Sequence, residues 1–193
     1  SIATANGITL GSFSRDGFVR TWYDQSTNDN HATQTDADLQ PKIVEGGSLA
    51  TNDGNAVVNF QSIDDRHFIF GAGIDLTART VFYAGRPADG NFRNLLGNTS
   101  DSSTNFIRTL NNAAGRQWST DPSSSIFVDG SAYAGGDVSA QGYSLNTFVL
   151  DSDATVNFLG GTNTALSDTP IVNASEVIIS DTDQSANRTA IEA

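Results

Sequence analysis

The chain has 193 residues, 10 Lys and Arg against 22 Asp and Glu, a formal net charge of −12, and neither Cys nor Met. That length suits one domain spanning 1–193, since a single β-sandwich often runs to about 200 residues undivided. The charge, with Lys42 the only Lys, argues against nucleic acid, whose phosphates need clustered cations. Lack of Cys excludes a disulfide scaffold, a thiolate zinc site and a cysteine nucleophile. No stretch approaches the ~18 consecutive apolar residues of a membrane helix, so membrane insertion is not expected.

Nineteen of the acids are Asp, and only Glu45, Glu176 and Glu192 are Glu. Asp competes for nearby backbone groups, so it favours turns and caps over helix interiors. The bias predicts many turns and little helix. Net repulsion of this size keeps a surface soluble and suits a salty or extracellular setting.

Short apolar bursts predict strands at Gly17–Tyr23, Lys42–Val44, Asn55–Phe60, His67–Phe70, Thr80–Arg86, Phe92–Leu96, Asn105–Leu110, Ser125–Val128, Thr147–Leu150, Thr155–Leu159 and Ser175–Ser180. Between them lie Asn28-Asp29-Asn30, Asp53-Gly54, Asp89-Gly90, Asp129-Gly130, Gly135-Gly136 and Gly160-Gly161, all tolerant of positive φ. Ser125–Val128, Asp129-Gly130 and Ser131-Ala132-Tyr133 have the form of a tight hairpin. At the end, Asp181–Ser185 offers helix N-cap residues, with Ala186, Ala190 and Ile191 as a short apolar stripe. The expected fold is all-β, a two-sheet antiparallel sandwich or jelly roll with one short C-terminal helix. A start at Ser1 and an uncapped end at Ala193 predict one module of a longer or processed polypeptide.

Three segments resemble a known family. Phe18–Gln34, read as FVRTWYDQSTNDNHATQ and continued by Gln40–Val44, is similar to the WYDQS-type segment of certain concanavalin A-like modules. Val57–Phe68 resembles a strand–turn–strand of laminin-G-like sandwiches, and Glu176–Ser180 with Asn187–Glu192 their closing strand and helix. The resemblance implies a concanavalin A-like jelly roll. That group includes lectin-like and adhesive modules, marine bacterial surface proteins, phage structural proteins and catalytic domains of α-L-arabinofuranosidases. The arabinofuranosidase sugar site also uses neighbouring Cys residues, which this chain lacks, so no catalytic residue carries over.

Asp24, Ser26, Asn28 and Asn30 alternate as oxygen donors, superficially like half a calcium loop. Asp24, Asn28 and Asn30 are therefore the candidate metal ligands, with Ca2+ the possible ion and otherwise no cofactor. No Gly at the sixth position and no Glu at the twelfth complete that pattern. The alternative is an Asx turn, anchored to the core by Trp22 and Tyr23. A glycosidase needs two carboxylates flanking the bond. Glu192 sits at the end, Glu45 in a Gly-rich turn, Glu176 in an apolar strand where desolvation could raise its pKa, and Asp64 and Asp65 are adjacent. His31 and His67 read as structural, with no nucleophile to serve. Asn98, Asn173 and Asn187 each open an Asn-x-Ser/Thr sequon.

Sugar recognition favours exposed aromatic faces beside planar polar groups. Arg116, Trp118, Tyr133 and Tyr143 are the candidates for such a rim, with a place in the core the rival reading of Trp118. The sequence thus predicts a non-catalytic attachment or decoration module outside a cell or on a virion. Its partner would be a glycan or cell-surface polysaccharide. The alternatives are a purely structural phage head or tail protein held by other subunits, and a glycoside hydrolase of arabinofuranosidase type.

Overall fold

The computed structural model describes residues 15–60, 66–71, 76–87, 93–98, 106–112, 115–138, 142–160 and 173–193; the side chains of Arg93, Asn111, Asn112 and Arg116 fall outside that description. Along the chain the first strands are β1 (Gly17–Phe18), β2 (Thr21–Trp22), β3 (Ala32–Thr33), β4 (Lys42–Glu45), β5 (Ser48–Leu49), β6 (Thr51–Asn52), β7 (Asn55–Ala56), β8 (Val58–Asn59) and β9 (Phe68–Phe70). The longer ones follow: β10 (Leu76–Arg86), β11 (Arg93–Gly97), β12 (Phe106–Asn112), β13 (Gly115–Asp121), β14 (Ser124–Val128), β15 (Ser131–Ala132), β16 (Ser144–Val156), β17 (Phe158–Leu159) and β18 (Asn173–Ser180). One helical turn, α1 (Arg188–Ile191), comes last.

Two antiparallel sheets account for most of these strands. Sheet A runs β1-β4-β8-β18-β10-β16-β14-β15, with β5 added to β4, and sheet B runs β13-β12-β11-β17-β9-β3-β2. Val58, Val81, Tyr83, Phe148, Leu150 and Ala174 from sheet A share one buried cluster with Ala32, Phe68, Phe70, Leu96, Ile107, Trp118 and Leu159 from sheet B. The chain is an all-β sandwich. Strands return to the same pair of sheets from distant parts of the sequence because each carries one apolar face that only the facing sheet can cover.

Four sequence expectations change. The strand expected over Gly17–Tyr23 divides: β1 belongs to sheet A and β2 to sheet B, and Val19 N donates to Pro41 O (2.8 Å) where the chain crosses. Arg116 and Trp118, expected on a sugar-binding rim and in none of the expected strands, lie in β13. The strands expected at Thr147–Leu150 and from Thr155 join through Asp151-Ser152-Asp153 into β16. There Ala78 pairs Ala154 but Thr80 already pairs Val149, so the acids bulge out exposed while the ladder continues on both sides. The helix starts only at Arg188 and buries none of its residues, so Ala186, Ala190 and Ile191 form no buried stripe.

The Asp129-Gly130 hairpin forms as expected, with positive φ at both residues (47° and 77°) and Val128 paired to Ser131. Gly160 is needed for a different reason. Its φ is 80°, and a Cβ there would sit 2.5 Å from the Phe60 ring.

The C-terminal segment lies over the outer face of sheet A. Val81 and Tyr83 point into the core, so Thr80 and Phe82 point outward, yet both are buried. Thr80 Oγ1 donates to Thr182 O and accepts from Gln184 N, each at 3.0 Å. Thr147 Oγ1 donates to Glu192 Oε1 (2.6 Å), Arg188 pairs with Glu192, and the Arg188 guanidinium stands 3.8 Å over the Phe127 ring. Residues 181–193 thus form a strap.

Candidate functional site

Strand alternation builds an open polar and aromatic surface at the β2–β3 edge of sheet B. Thr21 pairs Thr33 and Trp22 pairs Ala32, so successive residues point to opposite faces. Trp22 turns inward and meets the Phe68 ring edge-on at 6.1 Å. Gln34, also inward and buried, donates from Nε2 to His67 O (3.2 Å), accepts from Asp36 N at Oε1 (3.0 Å), and receives Gln40 Nε2 at its carbonyl (2.9 Å). Thr21, Tyr23, Thr33 and Thr35 take the opposite face. With Arg20 they line an open concavity of about 430 Å³.

Tyr23 is the centre of that surface and 61% exposed. The sequence places it in the core beside Trp22; the structure reverses this, since neighbours in a strand cannot share a face. The loop beyond it is held by Asp24. Oδ1 accepts from Ser26 N (2.8 Å), and Oδ2 accepts from Ser26 Oγ (2.7 Å) and Asn30 N (2.9 Å). These donors hold the Asp24 carboxyl below the usual carboxylate range. His31 Nδ1 accepts from Asp24 N (3.2 Å), which leaves the ring proton on Nε2, 3.2 Å from Asp29 Oδ1. The imidazole meets the Tyr23 ring edge-on at 4.9 Å and props it outward.

A calcium ion at Asp24, Asn28 and Asn30 would share Asp24 with the hydrogen bonds that hold the loop. A carboxylate has about four acceptor positions, and hydrogen-bond donors take three of Asp24's. Asn28 N bonds Ser26 Oγ (3.1 Å), continuing the Asx-turn pattern. Among the described residues no three His, Asp or Glu side chains gather as a metal site.

The other described sequence candidates are more buried than Tyr23. Trp118 is 6% exposed, packs edge-on against Phe148 (4.9 Å) and Tyr83 (6.0 Å), and donates from Nε1 to Asn146 Oδ1 (3.0 Å). It is a core residue and presents no face to a sugar. Tyr133 is half-buried against the core, its hydroxyl donates to Gly136 O, and burial pushes its phenol pKa up. Tyr143 is half-buried, with its amide on Asp53 Oδ2 (2.8 Å). The Arg116 side chain, and Asp64 and Asp65, lie outside the described residues.

The three Glu have separate occupations. Glu45 lies 3.9 Å from Lys42 Nζ, Glu192 ties down the strap, and Glu176 is exposed, so the desolvation expected for it is missing. A second concavity of about 400 Å³ is lined by Asp129, Gly130, Leu145, Arg188, Thr189 and Glu192, but the Arg188 charge there is engaged by Glu192. Asn98 and Asn173 are buried, each with its side chain hydrogen-bonded to backbone, so neither sequon presents an accessible amide.

Comparison with known protein families, with curated protein sequences and with solved structures returns no match.

Proposed function

We propose that this chain is a non-catalytic carbohydrate-binding module of the concanavalin A-like jelly-roll kind, used for attachment at a cell or virion surface. The observation that carries the reading is Tyr23. A mostly exposed aromatic ring, propped by His31 on a sheet edge, sits beside a guanidinium and three threonine hydroxyls in a concavity. Such a ring stacks on the C–H face of a sugar, while hydroxyls and guanidinium take up its oxygens. The WYDQS-type resemblance falls on this same segment. The test is a glycan array probed with wild type and Tyr23→Ala, both shown folded by circular dichroism. Selective binding lost in the variant is expected; binding that survives it sinks this site.

A second reading has its own observation. Phe18 and Leu49 are 44% and 53% exposed on β1 and β5, the strands that pair with β4. Burial of these side chains against another subunit is what a structural head, tail or surface protein would use. Sedimentation showing a stable oligomer that Leu49→Asp dissociates, together with a blank array, would favour that role.

A further inference from the structure

We infer that the Tyr23 concavity takes an acidic polysaccharide, a chain of sugar rings bearing carboxylate or sulfate groups. This rests on the carbohydrate-binding reading above and adds the ligand's charge.

Three cations of this acidic chain stand beside acids. Lys42 bonds Asp16 (2.8 Å) with Glu45 nearby, Arg79 lies 4.0 Å from Asp183, and Arg188 pairs with Glu192. Arg20 is different. Its side chain is exposed, and neither an ion pair nor a hydrogen bond engages it among the described residues. In a chain with 22 acids and 10 bases, a guanidinium left unengaged beside an exposed aromatic ring is the group an anionic ligand would meet. Its planar fork of N–H donors matches the paired oxygens of a carboxylate or sulfate. The anionic group also confines the ligand. Elsewhere the net charge of −12 repels such a polymer, so its contact is restricted to the Arg20 end of the concavity.

The hydroxyl content fits a ring rather than a bare anion. Thr21 and Thr33 stand directly opposite each other in the ladder, and Thr35 continues the same face. Each hydroxyl both donates and accepts, as sugar hydroxyls require. Arg20 and Tyr23 lie three residues apart, up to roughly 10 Å along extended chain. The anionic group and the stacked ring therefore belong to adjoining units, and an oligomer should bind better than a single sugar.

The experiment uses immobilised neutral glucan and mannan, polyuronates, and a sulfated galactan, probed with wild type, Arg20→Gln and Tyr23→Ala. Arg20 is exposed, so the glutamine variant should fold as wild type does, checked by thermal melting. Wild type is expected to prefer the anionic polymers, and Arg20→Gln to lose about 10- to 100-fold on them alone, the effect of removing one charged hydrogen-bonded contact. The uronate and sulfate arms then tell which anion is read. Equal binding of neutral and anionic polymers, or a preference that Arg20→Gln retains, overturns the acidic ligand while leaving the glycan site standing. No binding to any polymer by folded protein overturns both.

Discussion

Trp118 shows how one side chain can be mistaken for a site. Its sequence neighbours Arg116 and Gln117 are the company a sugar-stacking Trp keeps, yet its indole closes the gap between the two sheets. The ring meets Phe148 and Tyr83 from sheet A, and its N–H finds Asn146 Oδ1. Asn146 Nδ2 in turn donates to Ser144 Oγ (2.9 Å), so the amide is satisfied at both ends. Trp118→Phe removes the donor and strands a buried carbonyl, and the smaller ring leaves a void. We expect a loss of about 2–4 kcal/mol in urea unfolding; a loss below about 1 kcal/mol would mean that the pocket relaxes or admits water. Asp24 gives a second prediction at this scale. Its folded pKa lies below the unfolded value of 3.8 because Ser26 and Asn30 donate to it, so the native state binds fewer protons and stability rises with pH. The contribution is complete above about pH 4 and disappears as pH falls through the folded pKa. Asp24→Asn faces the Ser26 hydroxyl or the Asn30 amide with an NH₂ and should cost about 1 kcal/mol at pH 7. The gap between the two proteins should close at acid pH, measured by unfolding across a pH series. A gap that persists unchanged below pH 3 would show that shape, not ionisation, holds the loop.

At the scale of elements, the strap over sheet A is the least local feature. Thr80 and Thr147 are outward-facing in their strands but buried, because residues 181–193 return across them, and buried Phe82 stands opposite Thr147 in the same ladder. Truncation after Ser180 would uncover Phe82 and Thr147, leaving apolar surface and hydroxyls without their partners. Exposure of the Phe82 side chain alone removes about 1.5–3 kcal/mol. The truncated protein should therefore melt at lower temperature and bind a hydrophobic dye that the full chain does not. A melting temperature within a degree of wild type would mean that the strap contributes no stability. The same elements mark what was legible beforehand. Strand-forming bursts and the Asp129-Gly130 turn were readable because period and turn chemistry are local. The strand through Asp151-Ser152-Asp153 was hidden, since a bulge lets acids leave the sheet without ending the ladder. The division of Gly17–Tyr23 between two sheets was hidden too, because pairing partners far along the chain decide it. Tyr23 was within reach: once Trp22 is assigned to the core, alternation puts Tyr23 outside. The helix start and Trp118's place could not be read from spacing, since both depend on what the facing surface supplies.

For the whole molecule, charge is the term that conditions can change without touching a contact. With 22 acids against 10 bases, repulsion among surface carboxylates opposes compaction at neutral pH. The few ion pairs work the other way, but Lys42–Asp16 and Arg79–Asp183 are partly exposed and such pairs are weak. Salt screens both, and the larger sum should dominate. Raising NaCl from about 10 to 150 mM shortens the screening length from roughly 30 to 8 Å, enough to uncouple charges on opposite flanks of a small sandwich. The melting temperature at pH 7 should accordingly rise by a few degrees over that range, followed by circular dichroism at 218 nm or so, where strands absorb. Near pH 4.2, where the net charge vanishes, repulsion is gone and the salt response should flatten or change sign. A melting temperature that falls with salt at pH 7 would show instead that the ion pairs, Arg188–Glu192 above all, outweigh the net charge. In that case the strap, and not the acidic surface, would govern how this fold responds to its surroundings.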